Sequence, residues 1–235
     1  MTLNSLLVAL NEVKAILKDA ELLKYENTTR PKEILDSKFS SEFLSIMYSE
    51  DYDCIFKTAM KNNDFDFVLC DDSFLQFSAK KGENGLSDGK IRYAYFPNPR
   101  SYHTYIQFLS ENELLYEEAG ESFFEEYEQY ISEAKLKEFV TPIRYDYDYL
   151  AYDELNHPIS HLHIGREENI RIPISKVLNP QSFTLLVIKN MYYEYWKKAI
   201  VNTQFRNVCE TAKNSCFELS DALFTIVEKK QLYLH

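Results

Sequence analysis

Glycine is scarce in this sequence: there are five in 235 residues, and three of them (Gly82, Gly85 and Gly89) share one short stretch. A dinucleotide or P-loop phosphate cradle needs several glycines at set spacing between a strand and a helix. Binding of NAD, FAD or a P-loop nucleotide is therefore excluded. The four cysteines, Cys54, Cys70, Cys209 and Cys216, form no C-x-x-C pair. Reduced thiols in a cytoplasmic protein are the expectation. No apolar run approaches the roughly 18 to 20 residues that span a bilayer. Leu6, Leu7 and Val8 are soon interrupted by Asn11, Glu12 and Lys14, unlike a signal peptide, so no membrane partner is expected. Positive charge is also short, with 26 Lys and Arg against 37 Asp and Glu and a net charge of −11. That balance opposes broad coating of nucleic acid. The deficit is local, however. Residues 111–128 hold eight glutamates and neither Lys nor Arg, and without them the net charge is −3.

What is abundant is aromatic. Eighteen Tyr and sixteen Phe predict a core rich in rings, with many tyrosine hydroxyls at its boundary. Leu3, Leu6, Leu10, Val13, Leu17 and Ala20 recur at steps of three and four, the stripe of a helix over 3–24. The stripe packs inward or serves as a dimer seam. Thr28-Thr29-Arg30-Pro31 breaks it. Short helices are predicted near 38–48 and 50–62. Strands are predicted over 65–79 and 90–96, joined by a hairpin-like connection across Gly82–Gly89. Asp71-Asp72 before Ser73 marks a turn or a strand end. A helix near 101–109 leads to an acidic helical segment, 111–136, which is either a solvated face or a docking surface for a basic protein partner. Strands follow at 139–149 and 160–174. Asn179-Pro180 then caps a helix running to about 200, with more helix near 204–214 and a last helix or strand over 217–234. Without a dividing linker, the whole reads as one α+β domain. It has a helical part at 1–62, a mostly antiparallel sheet at 65–174 and a helical part at 180–235.

Three of the five histidines lie within seven residues, His157-Pro158-Ile159-Ser160-His161-Leu162-His163. On a strand, His161 and His163 share a face with Cα atoms roughly 6.5–7 Å apart, while Leu162 and Ile164 turn to the other side. Upstream, Arg144, Asp146 and Asp148 alternate in the same way. Antiparallel pairing of the two segments sets the Arg/Asp face beside the His face, with Arg166 and Arg171 close behind.

Three chemistries suit this set. In one, His161 and His163 are a general acid and base on a phosphodiester and Asp146 orients a ring. Arg144 and Arg171 hold the phosphate, with Arg166, Asp148 and His157 lining the substrate site. In another, His161, His163 and an Asp bind a divalent metal; metal-independent chemistry is the favoured expectation, with no cofactor. In the third, the cluster is a hydrogen-bonded binding pocket without catalysis. A satisfied polar face remains the plain structural reading. Nucleophile arrangements are poorer: Ser160 faces away from His161 on a strand and lacks a G-x-S-x-G setting. The turn Asn98-Pro99-Arg100 offers one more arginine for a phosphate-binding surface.

The stretch from Arg144 to Trp196, with R-Y-D-Y-D, H-P-I-S-H-L-H-I-G, R-I-P-I and M-Y-Y-E-Y-W, resembles a family of uncharacterised bacterial proteins known as a domain of unknown function. That resemblance implies a bacterial protein encoded near mobile or defence loci. A shorter likeness, through R-Y-D and H-x-H, is to TumE-type toxins with a RelE-like ribonuclease fold. It places Arg144, Asp146, His161 and His163 at the matching positions and implies an RNA or nucleotide substrate. The likeness covers about sixty residues, and the chain is about twice as long as those toxins and is acidic. The function expected is thus a toxin or phage-defence effector with phosphodiesterase or ribonuclease-like chemistry. Its alternative is a non-catalytic partner subunit of a defence or restriction-type complex.

Overall fold

The structure is a computed structural model, and it describes residues 3–28, 39–47, 51–166, 169–231 and 233–235, with side chains from residue 8 onward. The break expected at Thr29–Pro31 lies outside the described residues. By internal contacts the chain divides into two compact units, residues 98–140 and the remainder.

In the larger unit the first helix, α1 (Leu3–Asp19), is shorter than its periodicity predicts, because Leu23–Glu26 forms strand β1 instead. Glu21 turns the chain there with a φ of 57°. The helices α2 (Ser41–Ile46) and α3 (Tyr52–Lys61) follow, then β2 (Phe67–Leu69), β3 (Phe74–Gly82) and β4 (Gly85–Phe96). The expected strand over 65–79 is thus two strands. Asp71 makes the turn between them by accepting from the Ser73 amide and hydroxyl.

The smaller unit contains α4 (Tyr105–Glu111), α5 (Tyr116–Ala119) and α6 (Phe124–Ser132). Gly120, at a φ of 53°, splits the acidic segment into two helices. This unit is held by rings: Tyr105 and Phe108 pack against Phe124, Tyr127 and Tyr130.

The chain of the larger unit resumes with β5 (Ile143–Asp148), β6 (Ser160–Ile164), β7 (Ile172–Pro173) and β8 (Lys176–Val177). The helices α7 (Pro180–Met191), α8 (Tyr193–Ala199) and α9 (Thr203–Asn214) precede β9 (Phe217–Glu218), which pairs with β8. Asn179 accepts from the Ser182 amide at 2.8 Å, and Pro180 opens α7 as its cap predicts. The helix expected to run unbroken to 200 instead leaves helical geometry at Tyr192. That residue's hydroxyl donates to Asp71 at 2.9 Å, so a tertiary bond sets the break.

Strands β1 to β7 lie in sequence order in one sheet, each antiparallel to the next. The fold is α+β. Alternation gives the sheet two distinct faces. Leu75, Phe77, Tyr93, Tyr95, Tyr145 and Leu162 point to a core shared with α1 and α7, where Phe183 packs on Phe77 and Tyr93. Leu10, Val13, Ile16 and Leu17 of α1, with Ala20 just beyond it, are buried in that core, so this described part of the stripe packs intramolecularly. The opposite face carries Phe74, Phe96, Arg92, Arg144, Asp146, His161 and His163. There Phe43 of α2 packs on Phe96, and Phe56 of α3 on Phe74. Among the described residues, these ring contacts of α2 and α3 cover the Phe74/Phe96 end. The polar row beside it becomes the floor of a cavity.

Candidate functional site

The register places the polar residues directly opposite one another. Arg92 pairs with Asp146 and Asp146 with His161; one step along, Ala94 pairs with Arg144 and Arg144 with His163. The expected adjacency of the two faces is therefore what the strands build. Asp146 is the hub. Its Oδ1 accepts from Arg92 Nε at 2.8 Å, and its Oδ2 accepts from Arg144 Nε at 2.9 Å and from Arg92 Nη2 at 3.3 Å. His163 Nε2 lies 3.4 Å from Oδ2. Burial alone pushes the Asp146 carboxyl up, yet the hydrogen bond from His163 and the charges of Arg92 and Arg144 outweigh it. They hold the group well below the usual carboxylate range.

The two imidazoles can be assigned atom by atom. His161 Nδ1 is 2.6 Å from the Pro158 carbonyl oxygen, which only accepts, so Nδ1 carries a hydrogen. Burial lowers the His161 pKa to about 4, against a raising contribution from Asp146. The ring is thus neutral near pH 7, and its Nε2 presents a lone pair. That lone pair faces His163 Nε2 at 3.0 Å, so the hydrogen between the rings belongs to His163. In its neutral form His163 therefore keeps a lone pair on Nδ1, a buried atom with no hydrogen-bond partner.

His163 also lines a cavity of about 340 Å³. Arg92, Arg144, Gln76 and Ala94 share its floor, Arg166 stands at the rim, and Phe39, Phe43, Leu44, Met47, Tyr52 and Phe96 form its walls. Among the described residues that line it there is no Asp or Glu. One wall depends on a cap: Ser40 Oγ accepts from the Phe43 amide, while Asp64 accepts from the Ser40 amide at 2.7 Å. This fixes α2 over the sheet.

The remaining sequence candidates fall elsewhere. His161 is 0% exposed and lies behind His163 rather than in the cavity. His157 is half-buried and packs edge-on against His161; burial and then Arg171 lower its pKa. Arg171 belongs with His157, away from the cavity lining, and its Nε is buried without a partner. Asp148 pairs with Lys90 at 2.5 Å, one step along the sheet. Ser160 turns to the other face and meets Tyr145 and the Lys176 carbonyl. Arg100 bonds the Ala134 carbonyl within the 98–140 unit. Sequence reasoning missed Arg92, Gln76 and the aromatic walls. Arg92 alternates with Ile91 and Tyr93 in the strand expected at 90–96, but one strand's pattern does not name its neighbour.

The atoms Asp146, His161 and His163 offer as ligands lie within 4.8 Å of one another. Both Asp146 oxygens, however, already accept from arginine, and a divalent ion there would sit against two guanidinium groups. This donor set suits a hydrogen-bonded relay better than a metal.

No curated protein and no solved structure matches the chain. The likeness to TumE-type toxins accordingly rests on its few shared residues alone. Residues 17–234 match the family described as uncharacterized conserved protein (DUF2290), and the chain belongs to that family.

Proposed function

We propose that the cavity binds a phosphate-bearing substrate and that His163 acts as the general base of a metal-independent phosphodiesterase. One observation carries this reading: His163 lines a cavity floored by two arginines, its Nε2 is anchored on His161 and Asp146, and its buried Nδ1 has no hydrogen-bond partner. A hydroxyl bound there, from water or a ribose, would give its proton to Nδ1. The imidazolium so formed is stabilised by Asp146, whose carboxylate stays ionised. Arg92 and Arg144 face the charge that grows on the phosphoryl oxygens. The proton then passes from Nδ1 to the leaving oxygen. His161 is a positioning residue here rather than the second acid or base, because His163 lines the cavity and His161 does not. Among the described lining residues the carriers of fixed charge are Arg92, Arg144 and Arg166, and in a chain of net charge −11 such a lining would favour anions.

The setting implied by the family resemblance, a bacterial toxin or phage-defence effector acting on RNA or nucleotides, belongs to this same reading. The test is hydrolysis of RNA and of cyclic and linear phosphodiesters by the purified chain with metals removed. His163→Ala should lower turnover at least about 100-fold while leaving the melting temperature close to that of the parent. An unchanged rate in that variant would remove His163 from the chemistry. Loss of activity on chelation, restored by a divalent ion, would convert the triad into a metal centre.

A second reading, a partner subunit without catalysis, is favoured by the 98–140 unit. It carries ten glutamates against Arg100, Lys135 and Lys137, and it leaves Phe139 80% exposed.

A further inference from the structure

The cavity has two chemical halves, and phosphate accounts for only one of them. Arg92, Arg144, Gln76 and His163 make a polar floor. Above it stand the side chains of Phe39, Leu44, Met47, Tyr52 and Phe96. An inorganic anion would leave that apolar wall facing water. At the rim the Arg166 guanidinium lies over the Tyr52 ring, 5.9 Å from its centre. Aromatic rings and guanidinium planes are the surfaces on which unstacked bases lie, and such stacking tolerates any base because every base has a flat face. At about 340 Å³ the cavity is near the lower end for small-ligand sites. It has room for one nucleotide and none for a length of strand.

We infer that the site takes a single nucleotide, its phosphate on Arg92 and Arg144 and its base against the Phe39/Met47/Phe96 wall beside Tyr52 and Arg166. The inference rests on the phosphate-binding reading above and adds the base to it. A nucleotide free in solution and one at the end of a strand present the same chemistry. The cavity admits either, provided the rest of a strand lies outside.

The experiment compares the affinities of the full chain for inorganic phosphate, ribose 5-phosphate, AMP and adenosine. AMP should bind about tenfold or more tightly than ribose 5-phosphate, the gain that stacking of one base supplies. Phe39→Ala should lower AMP affinity about tenfold while leaving phosphate affinity unchanged. Met47→Ala serves as a second wall variant, and melting curves on both confirm that the fold persists. Equal affinity for AMP, ribose 5-phosphate and phosphate would overturn the base-binding inference and leave the anion site standing. Failure of every phosphate-bearing probe to bind would overturn both. In a further arm, a short oligonucleotide ending in the same nucleotide is compared with AMP. Tighter binding of the oligonucleotide assigns the site to strand ends and tighter binding of AMP to free nucleotides; each outcome supports the inference.

Discussion

Asp146 and the two histidines beside it show how a single buried carboxylate can organise a site. With arginines on both oxygens it stays ionised, and an ionised Asp146 beside a neutral His161 leaves His163 only one arrangement for its Nε2 hydrogen. His161 also links this geometry to pH. Its folded pKa, about 4, lies below the ordinary value of 6.5. Between those values the unfolded chain takes up a proton that the folded chain refuses. Stability from this residue is therefore complete above about pH 6.5 and is lost as pH falls toward 4, by up to about 3 kcal/mol. Denaturant melts across that window should show the loss in the parent chain and a flatter profile in His161→Gln. Equal slopes would mean that the His161 ring does not titrate as its burial requires. The residues of this hub were legible in the sequence as alternating polar positions. The division of labour between the two histidines was not, because exposure and the Pro158 carbonyl decide it.

At the level of elements, the site exists because β5 is the neighbour of both β4 and β6. The pairing of β5 with β6 could be read from their faces and the short connection between them. The pairing of β5 with β4 spans the 98–140 insertion, and so Arg92 went unnoticed. The pattern also overran local breaks: α1 yields to β1 after Asp19, and α7 breaks from α8 where the Tyr192 hydroxyl reaches Asp71. Short α2 is the element on which the cavity wall depends. It has six residues, too few to hold a helix by propensity alone, and relies on the Ser40 cap, the Ser40–Asp64 hydrogen bonds and the packing of Phe43. Ser40→Ala should cost about 1 kcal/mol of stability and weaken ligand binding in the cavity without removing the basic floor. Urea melts and ligand titration of the same variant check both. Unaltered binding after a measurable loss of stability would separate α2 from the site.

Across the whole molecule, negative charge is unevenly spread. The 98–140 unit holds ten of the 37 acidic residues, whereas the described residues that line the cavity include arginines and no Asp or Glu. The α+β class followed from the order of helical and alternating segments; the division into two units did not, because no composition shift or linker marks residues 98 and 140. If the acidic unit docks a basic protein, reversing the exposed Glu125, Glu126 and Glu128 to Lys should release that protein during purification. Retention would leave the acidic face as a solvated surface. The central claim, however, concerns one ring. Nitrogen NMR of the histidine side chains near neutral pH tests it most directly, with and without inorganic phosphate. The structure predicts that the neutral His163 ring carries its hydrogen on Nε2, and the proposed site predicts a His163 resonance that moves when phosphate fills the cavity. A hydrogen on Nδ1 instead, or a His163 resonance indifferent to saturating phosphate, would contradict the account.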